Sequence, residues 1–67
     1  MKIIIKNHTK DLTDATCILK VYQFLTDTRA IEELKEFEIF MGITFGEYVC
    51  IVRYLKNGYS FEFKEKE

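Results

Sequence analysis

Residues 37–63 read FEIFMGITFGEYVCIVRYLKNGYSFEF, and the fold follows from them. Phe37, Ile39, Met41, Ile43 and Phe45 fall on one parity, and Glu38, Phe40, Gly42 and Thr44 on the other. A side-chain period of two belongs to a strand, so a strand is predicted over residues 37–45. Gly46-Glu47 fits a two-residue type II′ turn with glycine first, and Asn57-Gly58 is the strongest short hairpin signal. Three antiparallel strands joined by tight turns are therefore predicted. The first turn pairs Phe45 with Tyr48, Ile43 with Cys50, Met41 with Val52 and Ile39 with Tyr54. The second pairs Tyr54 with Phe61 and Val52 with Phe63. Both turns put Ile39, Met41, Ile43, Phe45, Tyr48, Cys50, Val52, Tyr54, Phe61 and Phe63 on one face, and a slip of one residue would turn every one of them over. On the opposite face Arg53 is expected to meet Glu62 across strands. That face also holds Phe40, Val49, Ile51 and Leu55, more apolar surface than a solvated sheet face carries.

Toward the N-terminus, residues 2–6 form a β-branched run too short for a helix, which predicts a first strand. From Asp11 or Thr13, either of which can cap, to about Thr26 the spacing turns helical. Leu12, Ala15, Ile18, Leu19, Tyr22 and Leu25 recur at three and four and fill an arc of roughly 140°, the width a helix needs to cover a sheet. Cys17, Val21 and Phe24 form a second stripe that widens the apolar arc to roughly 240°. One sheet cannot bury so much of one helix, so either the segment that follows folds back over the second stripe or another chain covers it. That segment can form a short helix at residues 28–36, with Thr28 as its cap, Glu32 and Glu33 in its first turn, and Ile31 and Leu34 turned inward. The predicted class is α+β. One main helix packs on a four-stranded, mainly antiparallel sheet in the order β-α-β-β-β, with the short second helix, in a single domain over residues 1–67.

The composition agrees with one small domain. The chain has 67 residues, 48% of them hydrophobic, with ten Lys and Arg against eleven Asp and Glu for a net charge of -1. A folded chain of this size exposes roughly 4,400 Å² against roughly 11,600 Å² unfolded. Apolar burial then contributes roughly 105 kcal/mol, while ordering the chain costs roughly 100 kcal/mol, which leaves a lone monomer marginal. Disorder, a disulfide scaffold and a strongly cationic nucleic-acid binder are excluded. Only three consecutive isoleucines follow Met1-Lys2, far short of a signal-peptide core or a membrane span, so a cytoplasmic protein without a membrane segment is expected. Cys17 and Cys50 stand apart, with no CxxC and one histidine in the chain, so no metal and no cofactor are expected.

Little in the chain suggests catalysis. His8 lies among Thr9, Asp11 and Asp14, but a catalytic histidine needs a substrate proton or a nucleophile within reach, and a surface or capping histidine is the simpler expectation. Glu32, Glu33, Glu36 and Glu38, interrupted by Lys35, read as a solvated face. There is no glycine-rich phosphate loop and no Ser/His/Asp set, so the chain is not expected to be an enzyme. Two apolar surfaces exceed what one core can use. One is the stripe Cys17, Val21 and Phe24. The other is the sheet patch Phe40, Val49, Ile51 and Leu55 with Arg53. Both are candidate interfaces, and a twofold dimer is expected to bury one of them. The alternative is a nucleic-acid-binding regulator that stacks bases on Phe40 beside Arg53.

The opening Met1-Lys2-Ile3-Ile4-Ile5-Lys6-Asn7-His8-Thr9 resembles the start of a group of short, mostly uncharacterised α+β proteins of Firmicutes and their phages. These have a first strand ending in Asn-His-Ser/Thr, one helix after an Asp-rich cap, and a three-stranded meander. Thr28-Arg29-Ala30-Ile31 stands where that group often has a Gly-Arg-Ile step. The resemblance implies a phage or mobile-element protein. Such a protein is expected to act in the host cytoplasm, binding and inhibiting or modulating a host or anti-phage defence protein.

Overall fold

The computed structural model describes residues 1–37 and 40–66, with the backbone alone at Phe40. The order of elements is β1 (Lys2–Asn7), α1 (Asp14–Leu25), α2 (Thr28–Phe37), β2 (Phe40–Phe45), β3 (Tyr48–Leu55) and β4 (Gly58–Glu65). The class is α+β, and the sheet is mixed, in the spatial order β1-β4-β3-β2. β2–β3 and β3–β4 are antiparallel hairpins, whereas β1 runs parallel to β4. The first strand therefore lies beside the last, a neighbourhood that no local turn signal encodes.

The first hairpin has the register its turn dictates: Phe45 faces Tyr48, Ile43 faces Cys50 and Met41 faces Val52. Gly46 takes φ 53, which a tight turn demands and which other residues avoid. The expected Ile39–Tyr54 pair lies outside the described residues. The second hairpin corrects the prediction. Its turn is Lys56-Asn57, not Asn57-Gly58, and Leu55 pairs with Gly58, Tyr54 with Tyr59, Val52 with Phe61 and Cys50 with Phe63. This shift of two residues keeps every side chain on its predicted face but changes its partners. Arg53 meets Ser60 in place of Glu62, and Glu62 meets Ile51. The reason lies in β1, whose Lys2 pairs with Gly58. A Cβ on residue 58 would coincide with the backbone carbonyl of Lys2, so the glycine is needed in the ladder and not in the turn.

α1 begins at Thr13, whose hydroxyl oxygen accepts from the Thr16 N–H at 3.2 Å. α2 is a full helix of 10 residues, capped by Asp27, whose carboxylate accepts from the Ala30 N–H, and not by Thr28. It extends through Phe37, so β2 starts later than the alternation suggested. Both helices pack on the same sheet face: Phe24 of α1 meets Phe61 edge-on at 5.6 Å, and Lys35 of α2 lies over the Tyr54 ring.

The orientation of α1 is the main correction. Cys17, Val21 and Phe24, expected to be surplus, are buried with Leu34, Val52, Phe61 and Phe63 at the centre of the core. Of the stripe expected to face the sheet, only its two ends, Leu12 and Leu25, pack against that core. Ile18, Leu19 and Tyr22 are 57%, 53% and 66% exposed, and Ala15 is exposed as well. The sheet itself brings Phe45, Tyr59, Phe61 and Phe63 to the interface, so its aromatics fill the space a helix would otherwise occupy. Small Cys17 and Val21 let the helix approach, and Phe24 packs edge-on against Phe61. Leu19 and Tyr22 on that side would overpack it.

Candidate functional site

The opposite sheet face is covered by neither helix. Alternation places Lys2, Ile4 and Lys6 of β1 there, with Ser60, Glu62 and Lys64 of β4, Val49, Ile51, Arg53 and Leu55 of β3, and Gly42 and Thr44 of β2. Across the strands one row runs Ile4, Ser60, Arg53, and the next runs Lys6, Glu62, Ile51, Gly42. Ile4, Val49, Ile51 and Leu55 are half-buried by their neighbours, while Lys2, Lys6, Arg53 and Lys64 stand exposed around them.

Charge is unevenly divided between the two sides of the molecule. The open face carries four cations, Lys2, Lys6, Arg53 and Lys64, against one carboxylate, Glu62. The helices and the segments flanking them carry Asp11, Asp14, Asp27, Glu32, Glu33 and Glu36 against Lys10, Lys20, Arg29 and Lys35, a nearly balanced mixture. A net charge of -1 thus hides a basic sheet face. The register is what frees Arg53. With Ser60 opposite it, and among the described residues, no carboxylate lies within ion-pair distance of its guanidinium.

Glu62 is instead held by His8, whose Nε2 lies 2.8 Å from its Oε2. Asn7 and Thr9 on either side of His8 build the loop into α1. The Thr9 N–H and hydroxyl both donate to the Asn7 carboxamide oxygen, and the Asn7 amide donates to the Leu12 carbonyl. The Asn-His-Thr step is thus a structural clamp from β1 to both α1 and β4. Burial raises the Glu62 carboxyl, but the His8 hydrogen bond and the charges of Lys64, His8 and Lys6 outweigh it and set the pKa below the ordinary 4.5. A depressed carboxylate contributes stability that is present above the unfolded-state value and lost as pH falls through the folded value. Stability is therefore expected to decline below about pH 4.5. Glu62→Gln should flatten that decline in denaturant melts across pH 3 to 7, and an unchanged acid limb would refute the assignment.

Of the eight candidate interface residues, Val49, Ile51, Arg53 and Leu55 do share the open face. Cys17, Val21 and Phe24 do not belong with them, being core. Phe40 pairs with Arg53 through its backbone, and its side chain lies outside the described residues. Burial, and the neighbouring Cys17, push the Cys50 thiol up to about 12, and burial with Asp14 raises Cys17, so the thiolate form is disfavoured at both. Among the described residues no three of His, Cys, Asp and Glu converge as a metal site, and no helix is long and apolar enough to cross a membrane. A groove of about 360 Å³ runs between α1 and the β2 edge, floored by Met41, Ile43 and Phe45 and rimmed by Lys20 and Asp27. The Lys20 ammonium lies over the Phe45 ring, 4.8 Å from its centroid, and so partly screens that floor.

Two features of these surfaces escaped sequence reasoning. The His8–Glu62 contact joins residues 54 apart and depends on the parallel pairing. The segregation of charge appears only once the strand faces are aligned. No family model, no curated protein and no solved structure matches this chain.

Proposed function

We propose that this chain is a non-enzymatic protein-binding domain that docks a partner protein on its open sheet face and works as a homodimer. The observation that carries the proposal is the composition of that face, with half-buried aliphatics at its centre and exposed cations of one sign around them. Flat sheet faces with an apolar centre and a polar rim suit protein partners, and the cations favour an acidic one. The Met1–Thr9 likeness to short phage and Firmicutes proteins supports a setting in which the domain acts in the host cytoplasm, occluding a host or defence protein.

The four cations also favour a second reading, a single-stranded nucleic-acid platform. Base stacking needs aromatic side chains, and the described side chains of this face include none. One experiment separates the two. The tagged protein and its Ile51→Glu and Arg53→Glu variants are used side by side to capture partners from the native host, and each is titrated with oligo-dT at low and high salt. A protein partner retained by the parent and lost from both variants supports docking on the sheet. Tight oligo-dT binding that falls steeply with salt and vanishes in Arg53→Glu would replace it with the nucleic-acid reading.

A further inference from the structure

The sheet has two free edges, and they are not alike. β1, at one margin, carries Lys2 and Lys6, charges of the kind that sheets use to discourage a further strand. β2, at the other, reads Phe-Met-Gly-Ile-Thr-Phe and has neither a charge nor a proline. The hairpin decides which of its backbone groups point outward. Phe45 and Tyr48 flank a two-residue turn and so form a hydrogen-bonded pair. Bonded and unbonded pairs alternate, so Met41, Ile43 and Phe45 turn their N–H and C=O groups toward β3, and those of Phe40, Gly42 and Thr44 point away from the sheet. Among the described residues, no backbone group outside β3 pairs with these three.

The groove of about 360 Å³ runs along the same strand, and its size falls within the roughly 300–1,000 Å³ of ordinary ligand pockets. Met41, Ile43 and Phe45, on the helix side of β2, form its floor and are only half-buried. A strand laid beside β2 would bring every second side chain up to that floor. α1 and the residues after it supply the opposite wall with Lys20, Gln23 and Asp27. The one cation of the groove stands at its Phe45 end, where the Lys20 ammonium lies over the ring. Among the described residues no carboxylate lies within ion-pair distance of it. Asp27 is engaged by the Ala30 N–H.

We propose that β2 is a strand-addition site. An extended segment of a partner protein pairs antiparallel with Phe40–Phe45, sets alternate apolar side chains into the groove, and places an acidic side chain near its own N-terminal end against Lys20. Each part of this occupant answers to something in the structure. The outward groups of Phe40, Gly42 and Thr44 call for an extended backbone, which a helix or a closed globular surface cannot offer. The half-buried floor calls for apolar residues at every second position. Lys20 calls for the acid and fixes its place, because antiparallel pairing lays the first residues of the segment at the Phe45 end. The β2 of a second copy would supply the backbone bonds, but within its strand it holds no carboxylate for Lys20. The inference rests on the protein-binding reading and adds to it a second place of contact, at the sheet edge.

The probe is a hexapeptide blocked at both ends, Glu-Thr-Val-Thr-Ile-Thr, titrated to millimolar concentration into the isotope-labelled full chain. It is expected to move amide resonances of residues 20–27 and 40–45, to leave those of residues 2–6 in place, and to slow hydrogen exchange at Gly42 and Thr44. The same peptide with Lys in place of Glu should bind about 3-fold or more weakly, and Lys20→Glu should reverse that preference. Thr44→Pro removes one outward donor, which a strand edge tolerates because the lost N–H faced solvent, and should weaken binding by about 5-fold or more. Ile51→Glu, on the sheet face, should leave peptide binding unchanged. Absence of shifts at residues 40–45, or binding indifferent to both Thr44→Pro and Lys20→Glu, would overturn the edge site, as would binding lost in Ile51→Glu. Sedimentation of the parent and Thr44→Pro covers the other occupant: a dimer that Thr44→Pro dissociates would put a second copy on β2 in place of the partner segment. A failed peptide titration beside a successful capture on the open face removes the edge site alone and leaves the sheet-face reading standing.

Discussion

Phe61→Ala is expected to abolish the cooperative unfolding transition at 25 °C. Phe61 is 1% exposed and stands on β4 between Ile5 of β1 and Val52 of β3. Phe24 meets it edge-on from α1, and Tyr59 lies 6.3 Å from it along the same strand. It is thus the side chain at which the helix, the parallel ladder and the meander all meet. Truncating a buried Phe to Ala costs about 3–5 kcal/mol, through lost transfer energy and the cavity left behind. A core of this size supplies only about 3–5 kcal/mol of net stability, so nothing remains to hold the fold. Urea titration followed by far-UV circular dichroism checks it. Phe61→Leu, which keeps most of the volume, should retain a transition at a lower midpoint, and a Phe61→Ala protein that loses less than about 1 kcal/mol would move the centre of the core elsewhere.

Gly58→Ala should cost a comparable amount by a different route. A Cβ at residue 58 meets Lys2 backbone atoms, which cannot rotate aside as a flexible side chain would. β1 must therefore shift outward, straining the contact of the Lys2 N–H with the Asn57 carbonyl at 2.7 Å and the ladder that follows. The expected loss is roughly 3 kcal/mol or more, within the range reserved for specific structural failures. Hydrogen exchange gives the signature: amides of residues 2–7 should lose protection first, ahead of the β2–β3 hairpin. Gly46→Ala is the fitting control. Gly46 sits at φ 53 with open space around it, so alanine there meets only backbone strain, about 1–2 kcal/mol.

The parts of the fold legible in the sequence were those fixed by local chemistry. Alternation from Met41 to Phe45 and the glycine turn after it determine the first hairpin, and Thr13 marks the start of α1, because strand parity, turn geometry and caps are properties of a few adjacent residues. The second hairpin shows where this ends. Asn57-Gly58 is a strong local signal, yet Gly58 serves a contact with Lys2 that is remote in sequence, and tertiary packing overrode the turn preference. The same holds for α1. A helix with two apolar stripes does not declare which faces inward, and the choice fell to the bulk of Phe61 and Phe63, residues that the helix sequence does not contain. The candidate surface was legible in part for a related reason. Val49, Ile51 and Leu55 follow from parity alone, whereas the cations of β1 join them only through the parallel pairing.

That parallel pairing also sets an order of events. The strand made first is seated beside the strand made last of the four, with α1, α2, β2 and β3 between them in the chain. Closing so long a loop is slower than zipping two hairpins, so β1 is expected to dock late, onto a β4 already laid down by the meander, and its amides should be the last protected in pulsed hydrogen exchange. Until then Ile3 and Ile5 have no partner strand, and the amide and carbonyl groups of β1 have only water. Lys2 and Lys6, toward the two ends of that strand, disfavour its pairing with a wrong edge in the interval this order implies.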